Sequence, residues 1–271
     1  MNQLQQEELR ILLEFNRICV KHNITYSLGY GTLLGAIRHN GFIPWDDDVD
    51  VIMLRDEYNK FLSVVKNELL SDFTYVDHDI EDKYYYAFAK IRSNSVELRE
   101  KSVDYLGIHQ GVWIDIFPYD AIPNDENAVL KQKKLIKKYH NLFVAFVFTY
   151  LSDSDTGAKK VIKKILETFN RKTKNLSSTR NKWFDKQHQA IIQYNHEKDF
   201  NCNCLAPNFT EHEYHSSILS KDALLDLMLH DFQGTPLPII ASYHEHLSAI
   251  YGDYMTPPPV NEQVSNHDTI V

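Results

Sequence analysis

Apolar residues recur at helical spacing over residues 8–20, where Leu12, Phe15, Ile18 and Cys19 form one stripe. Asn23 interrupts that pattern, and 24–28 reads as a short strand. Gly29 and Gly31 mark a turn before a helix over 32–38, and Asn40-Gly41 predicts a second tight turn. Residues 48–54 then alternate with a period of two, as a strand does. On that strand Asp48 and Asp50 project from one face, and Val49, Val51 and Met53 from the other. A helix over 55–70 follows, with Tyr58, Phe61, Leu62, Val65 and Leu69 turned inward.

Further strands are predicted over 73–76, 84–91, 95–98 and 111–117, the last stopped by Pro118. On it Trp113, Asp115 and Phe117 share a face. The pattern then becomes helical over 127–150, 158–169 and 182–194. A short helix over 220–229, a turn or hairpin over 232–238 and a helix over 242–250 ended by Gly252 complete the chain. The order implies an α+β protein with an α/β-type core, a mixed sheet flanked by helices and a mainly helical second region. The expected divisions are a core over 1–122, a helical region over 123–231 and a terminal segment over 232–271 that packs back on the core.

The 271 residues suffice for a large core, and 43% hydrophobic with 24% charged residues is ordinary globular composition. The first twenty residues lack the basic-then-apolar layout of a signal peptide, and no apolar run is long enough to span a bilayer. Cys19, Cys202 and Cys204 provide no disulfide framework, which points to a reducing cytoplasm. Cys202-Asn203-Cys204 near His196 is a weak soft-metal candidate without a second cysteine pair. The net charge of -8 hides a segregation: 131–186 holds 15 Lys or Arg against 4 Asp or Glu. The overall acidity argues against nucleic acid as a partner. The basic block reads as solvated helix faces or as a contact with an anionic glycan precursor or the inner membrane surface.

Two carboxylates on one strand face repel each other, and a divalent cation offsets that cost. Magnesium, or manganese in its place, is the expected ion against a phosphate. Asp115, centred in an apolar strand, joins Asp48 and Asp50 as the third expected metal ligand and catalytic carboxylate. Asp46 shares their parity but follows the Pro44-Trp45 pair in a loop, and Asp47 has the opposite parity, so both fall in an outer ring with His39 and Asp120. An EF-hand register over Asp46, Asp48, Asp50 and Glu57 fails at Val51, where that loop needs glycine.

The stretches YGTLLGAIRHNGFIPWDDDVDV (30–51), WIDIFPYD (113–120), FQGTPLPI and HLSAIYGDYMTPP are similar to motifs of the LicD family, within the nucleotidyltransferase-fold superfamily. The resemblance implies a nucleotidyltransferase-like sheet and transfer of phosphocholine from CDP-choline to a hydroxyl of a cell-surface glycan, teichoic acid or lipopolysaccharide precursor. It equally admits phosphoribitol from CDP-ribitol. It maps the superfamily's Gly-Ser pair onto Gly31-Thr32, whose backbone N–H groups would meet a phosphate, and its three aspartates onto Asp48, Asp50 and Asp115. Arg38 and Lys90 are the candidate diphosphate contacts. Trp45, Trp113, residues 84–86 and Phe88 either frame a quaternary ammonium or pack the core. Other readings of the same residues are a nucleotidyltransferase using an NTP, a glycosyltransferase gripping a nucleotide sugar, and a catalytically silent glycan-binding protein.

Overall fold

A computed structural model describes residues 1–81, 83–100, 104–147, 176–205, 211–264 and 269–270, together with positions 157, 160, 161, 164 and 165. Of the predicted helix over 158–169, residues 160, 161, 164 and 165 are described, all as helix, and the others lie outside the described residues, as does His267. Helix α1 (Gln3–His22) begins earlier than its apolar stripe because Asn2 and Gln5 form a capping box, the Gln5 N–H donating to Asn2 Oδ1 at 2.8 Å. Its buried stripe runs through Ile11, Leu12, Phe15, Ile18 and Cys19. Strand β1 (Ser27–Leu28) leads into α2 (Tyr30–His39), then β2 (Asp50–Leu54) and α3 (Arg55–Glu68). Strands β3 (Phe73–Val76), β4 (Ala89–Ser93), β5 (Arg99–Glu100) and β6 (Trp113–Ile122) follow.

Among the described residues the main sheet has seven strands, and its continuous path runs β1-β2-β6-β4-β3. Only β2 and β6 are parallel on this path; β1, β4 and β3 run antiparallel to their neighbours. The sheet is mixed and flanked by helices, so the α+β expectation holds. The register matters most at one point: Asp50 lies opposite Asp115, and Lys90 lies opposite Asp115 from the other side.

Several predicted bounds shift, each for a physical reason. Pro118 does not stop β6. The Asp115 N–H donates to Val49 O, so alternation turns the nitrogen of residue 118 toward β4, whose ladder ends at the Ala89–Ile116 pair. A missing N–H costs nothing where there is no partner strand. Tyr84 to Phe88 stand outside the sheet, and β4 starts at Ala89. Residues 95–98 are not a strand; β5 follows them and pairs with β11 (Thr269–Ile270).

Helices α4 (Glu126–Val147) and α5 (Leu176–Ile192) pack together around Ile136, Phe143, Val147 and Ile191. Beyond them the main sheet gains β7 (Asn201–Asn203), which pairs with the end of β6 and with β8 (Leu219–Ser220). Cys202 and Cys204 are therefore buried in the core, with the Cys202 thiol 3.4 Å from Leu219 O. Short helix α6 (Glu211–Ser216) precedes β8.

The predicted helix over 220–229 divides. Helix α7 (Lys221–Leu225) ends early and β9 (Leu227–Phe232) pairs with β10 (Thr235–Ile240). Gln233 and Gly234 both have positive φ, as a two-residue hairpin turn needs. Tertiary anchoring selects strand over helix here: the Gln233 N–H donates to Asn40 O at 2.9 Å, and the Ile240 N–H to Ser27 Oγ at 3.0 Å. Gly41 lies so close to Gln233 that a Cβ would meet its side chain at 2.2 Å. Helix α8 (Tyr243–Tyr251) closes the described core and ends at Gly252, φ 66°.

Candidate active site

The acidic run is divided between a loop and a strand. Ile43 to Asp46 form a turn, the Asp46 N–H donating to Ile43 O at 3.0 Å, with Pro44 preset for its second position. Strand β2 begins only at Asp50, so the alternation expected of Asp48 does not apply. Asp46, Asp47 and Asp48 instead bring carboxylate oxygens within 4.8 Å of one another. Asp47, expected to point away, thus joins its neighbours. Asp46 also sits against α2, where a Cβ on Gly31 would meet its Oδ2 at 2.9 Å.

Asp50 and Asp115 are both buried and face each other across β2 and β6. Burial raises the Asp50 pKa well above the usual carboxylate range; Asp48, Asp115 and Asp46 raise it further, while Lys90 opposes them. Burial likewise raises Asp115, against the pull of Lys90, whose Nζ lies 2.9 Å from Asp115 Oδ1. More carboxylates than cations therefore converge on this end of the sheet.

Lys90 lies beneath Asp115, 2% exposed, rather than open to a phosphate. Its Nζ lies 4.4 Å from the Trp113 ring centroid, 4.5 Å from Tyr86 and 5.9 Å from Phe88. Three of the rings considered as a frame for a quaternary ammonium, Trp113, Tyr86 and Phe88, thus lie around this chain's own ammonium. Arg92 extends the layer, donating through Nη2 to Glu100 Oε1 at 2.5 Å. Although burial opposes it, Lys90 and Arg92 hold the Glu100 carboxyl down to about 2.

Thr32 Oγ1 accepts the Asp50 N–H at 2.8 Å, so the hydroxyl of the Gly-Thr pair locks the first turn of α2 to the head of β2. Arg38 donates through Nη1 to Tyr254 O at 2.8 Å and through Nε to His39 Nε2 at 3.0 Å. Burial lowers Arg38, offset by Tyr251 and Asp46, so the guanidinium stands between the acidic loop and the end of α8. His39 meets Trp45 edge-on at 6.2 Å. Asp120 belongs elsewhere: it is 1% exposed and held by Arg55 Nε at 2.8 Å, Arg55 Nη2 at 2.6 Å and Asn195 Nδ2 at 2.6 Å. Five residues along a strand reverse the side-chain face, which removes Asp120 from the outer ring expected for it.

Two further residues reach this site. Tyr251 leaves 41% of its surface open, yet its phenol is pushed well up, first by burial of the hydroxyl end and then by Asp50, Asp46 and Asp48. Glu8 of α1 is buried against the same loop. Tyr251 stands in the C-terminal motif, and Glu8 was legible as an acid on an apolar stripe four residues before Leu12. A second cleft of about 250 Å³ is lined by Arg55, Tyr58, His78, Phe184 and His188 among others; it includes Tyr86 and Phe88 but none of Asp46, Asp47, Asp48, Asp50 and Asp115.

The family model for the LicD/FKTN/FKRP nucleotidyltransferase domain matches residues 23–151. Lipopolysaccharide cholinephosphotransferase LicD of Haemophilus influenzae is 32% identical over 263 residues, covering 96% of this chain and 92% of that protein. The chain belongs to the LicD family. Similarity extends to an uncharacterized protein of Rickettsia typhi, 29% identical over 138 residues, spanning 50% of this chain and 40% of that one. One of Rickettsia prowazekii is 47% identical over 49 residues, 18% of each chain. This LicD-family chain therefore has a relative along nearly its whole length, including the C-terminal hairpin and α8.

Proposed function

We propose that this chain transfers phosphocholine from CDP-choline to a hydroxyl of a lipopolysaccharide or related cell-surface glycan precursor, with magnesium as cofactor. It is a LicD-type phosphotransferase. The observation behind the reading is the in-register pair Asp50–Asp115 beside the Asp46–Asp48 loop, in a chain similar over 96% of its length to a cholinephosphotransferase. These hard carboxylate oxygens suit magnesium or manganese, and Asp48, Asp50 and Asp115 would hold it. When bound, the ion neutralises the diphosphate and draws charge from the phosphorus under attack.

The chain's own residues supply the rest. The acceptor oxygen forms a bond to the choline-bearing phosphorus, the bridging P–O bond breaks and CMP leaves. The hydroxyl proton passes to a carboxylate, for which Asp115 is the candidate. Its raised pKa suits a base, and Lys90 holds its Oδ1. Thr32 fixes Asp50 through its backbone, and the first turn of α2 offers N–H groups to a phosphate oxygen. No helix of the described residues is long and apolar enough to cross a membrane. A lipid-linked acceptor would be met at the inner membrane surface, with the lysines of α4 as the contact.

Phosphoribitol transfer from CDP-ribitol is the second reading, because Lys90 occupies the aromatic frame that would otherwise favour choline. Incubation with CDP-choline, CDP-ribitol, UDP-sugars and NTPs in magnesium, with a glycan acceptor, separates the readings. Release of CMP from CDP-choline with a phosphocholine mass added to the acceptor is expected. Turnover of UDP-sugars or NTPs alone would overturn the proposal.

A further inference from the structure

The second cleft lies among α3, the segment after β3, the segment before β4, and α5. Tyr58, Tyr86, Phe88 and Phe184 give it aromatic walls, and His78 braces Phe184 by stacking on its ring at 3.7 Å. Asp77 is used by the fold, its Oδ1 accepting the N–H groups of Asp79 and Ile80 at 2.9 Å each. Asp79 and Asp185 are exposed, and Asn59 adds an exposed amide. Flat apolar faces bordered by a few polar groups are the composition of a small-molecule site.

The same residues limit what can enter. Three carboxylates line the cleft against one guanidinium, and Arg55 already grips both oxygens of Asp120. Burial lowers the pKa of both histidines in the lining, His78 and His188, so they add little positive charge. A phosphate or other anion is therefore repelled. Tyr58 and Tyr86 each have a cation against the ring already, Arg55 at 4.9 Å and Lys90 at 4.5 Å, which disfavours a further ammonium between them. What suits the cleft is an uncharged ligand with hydroxyl donors for the acid oxygens and an apolar face for the rings, as a sugar has. At about 250 Å³ it is smaller than the roughly 300 Å³ at which sites for drug-sized ligands begin, too small for a nucleotide.

The cleft also borders the row in which transfer is proposed. The Tyr86 ring covers the Lys90 ammonium that holds Asp115, and Phe88 packs at 4.4 Å on Phe117, two residues along β6 from Asp115. We propose that this cleft binds an uncharged sugar unit of the acceptor glycan, a unit other than the one that takes the phosphate. The inference rests on the acceptor being a glycan, as in the proposed function, and not on which donor is used.

Saturation-transfer NMR on the full chain provides the test, with a lipopolysaccharide core oligosaccharide freed of lipid and phosphate as the probe. The wild type should saturate the ring protons of the probe. Asn59→Trp, at an exposed position of α3, fills the cleft without touching the core and should weaken that transfer about fivefold or more. Asp79→Ala combined with Asp185→Ala, both exposed, should weaken it as well. In turnover, KM for the glycan should rise about tenfold in these variants, with KM for CDP-choline unchanged. No transfer in the wild type, or unchanged transfer in either variant, overturns the inference. Saturation of choline chloride that Asn59→Trp abolishes would assign the cleft to an ammonium and overturn it too. Phosphocholine transfer at an unaltered glycan KM in Asn59→Trp removes this subsite and leaves the proposed function standing. Probe binding that Asn59→Trp abolishes, without CMP release from CDP-choline by the wild type, does the opposite.

Discussion

Asp115 and Asp120 are buried carboxylates on one strand, five residues apart, and they live in opposite electrostatic settings. Asp120 is matched: Arg55 grips both of its oxygens and Asn195 donates a third hydrogen bond. Asp115 has a single ammonium beneath it and Asp50 alongside, with Asp46 and Asp48 adding charge from the loop. A bidentate, fully bonded pair is what a fold needs to bury a charge. A buried carboxylate pair raised by its neighbours' charge is costly for folding alone, and this is the setting in which the proposed cation would act.

The largest effect should come from breaking the unmatched end. Asp50→Asn or Asp115→Asn should lower the rate of CMP release about a thousandfold, on the order of 4 kcal/mol of transition-state stabilisation. The thermal melt of Asp50→Asn, which strands no cation, should stay level or rise, since neutralisation relieves repulsion. A melt that falls steeply would show Asp50 to be structural, like Asp120.

The matched end should fail in the other sense. Asp120→Asn strands the buried Arg55 guanidinium and should cost about 3–5 kcal/mol of stability by denaturant unfolding. The fraction that remains folded should keep nearly full turnover. A lost turnover in well-folded Asp120→Asn would erase the contrast between the two ends.

Acid titration separates them further, because the signs oppose. Asp50 and Asp115 have raised folded pKa values, so without cation they favour the folded state as pH falls. His246, buried in α8 with both ring nitrogens unpartnered among the described residues, is pulled down to about 4 by burial. Its contribution is complete above about pH 6.5 and is lost as pH falls toward 4, up to about 3 kcal/mol. His246→Leu should flatten the acid limb of stability, measured by urea unfolding from pH 7 to 4. An unchanged limb would assign acid lability to another group.

The smallest effect belongs to the joint between helix and strand. Thr32→Val removes the acceptor for the buried Asp50 N–H and should cost about 1–2 kcal/mol in unfolding experiments. Its rate should drop several-fold, by displacement of Asp50, without change in the number of bound cations.

Much of this was legible in the residues. Apolar periodicity marked α1, α3, α4 and the strand over 73–76, because each buries one regular face. Asp50 and Asp115 were marked as charge placed where burial is costly, and the turn before α2 by Gly29 and Gly31. The hairpin after Leu227 was not, since Gln233 and Ile240 are held by partners some two hundred positions earlier in the chain. Glu8 and Tyr251 come to the acidic loop from α1 and α8, a meeting that local pattern does not record.

Local chemistry thus determined which side chains carry charge and where the helices and strands with one regular apolar face lie. Tertiary structure alone decided which acids meet. Register across β2, β6 and β4 set Asp50, Asp115 and Lys90 in one row, and the Ile43–Asp46 turn drew Asp48 off the strand into the loop. Pairing between distant strands is governed by the packing of the whole sheet, and a short-range pattern carries no record of it.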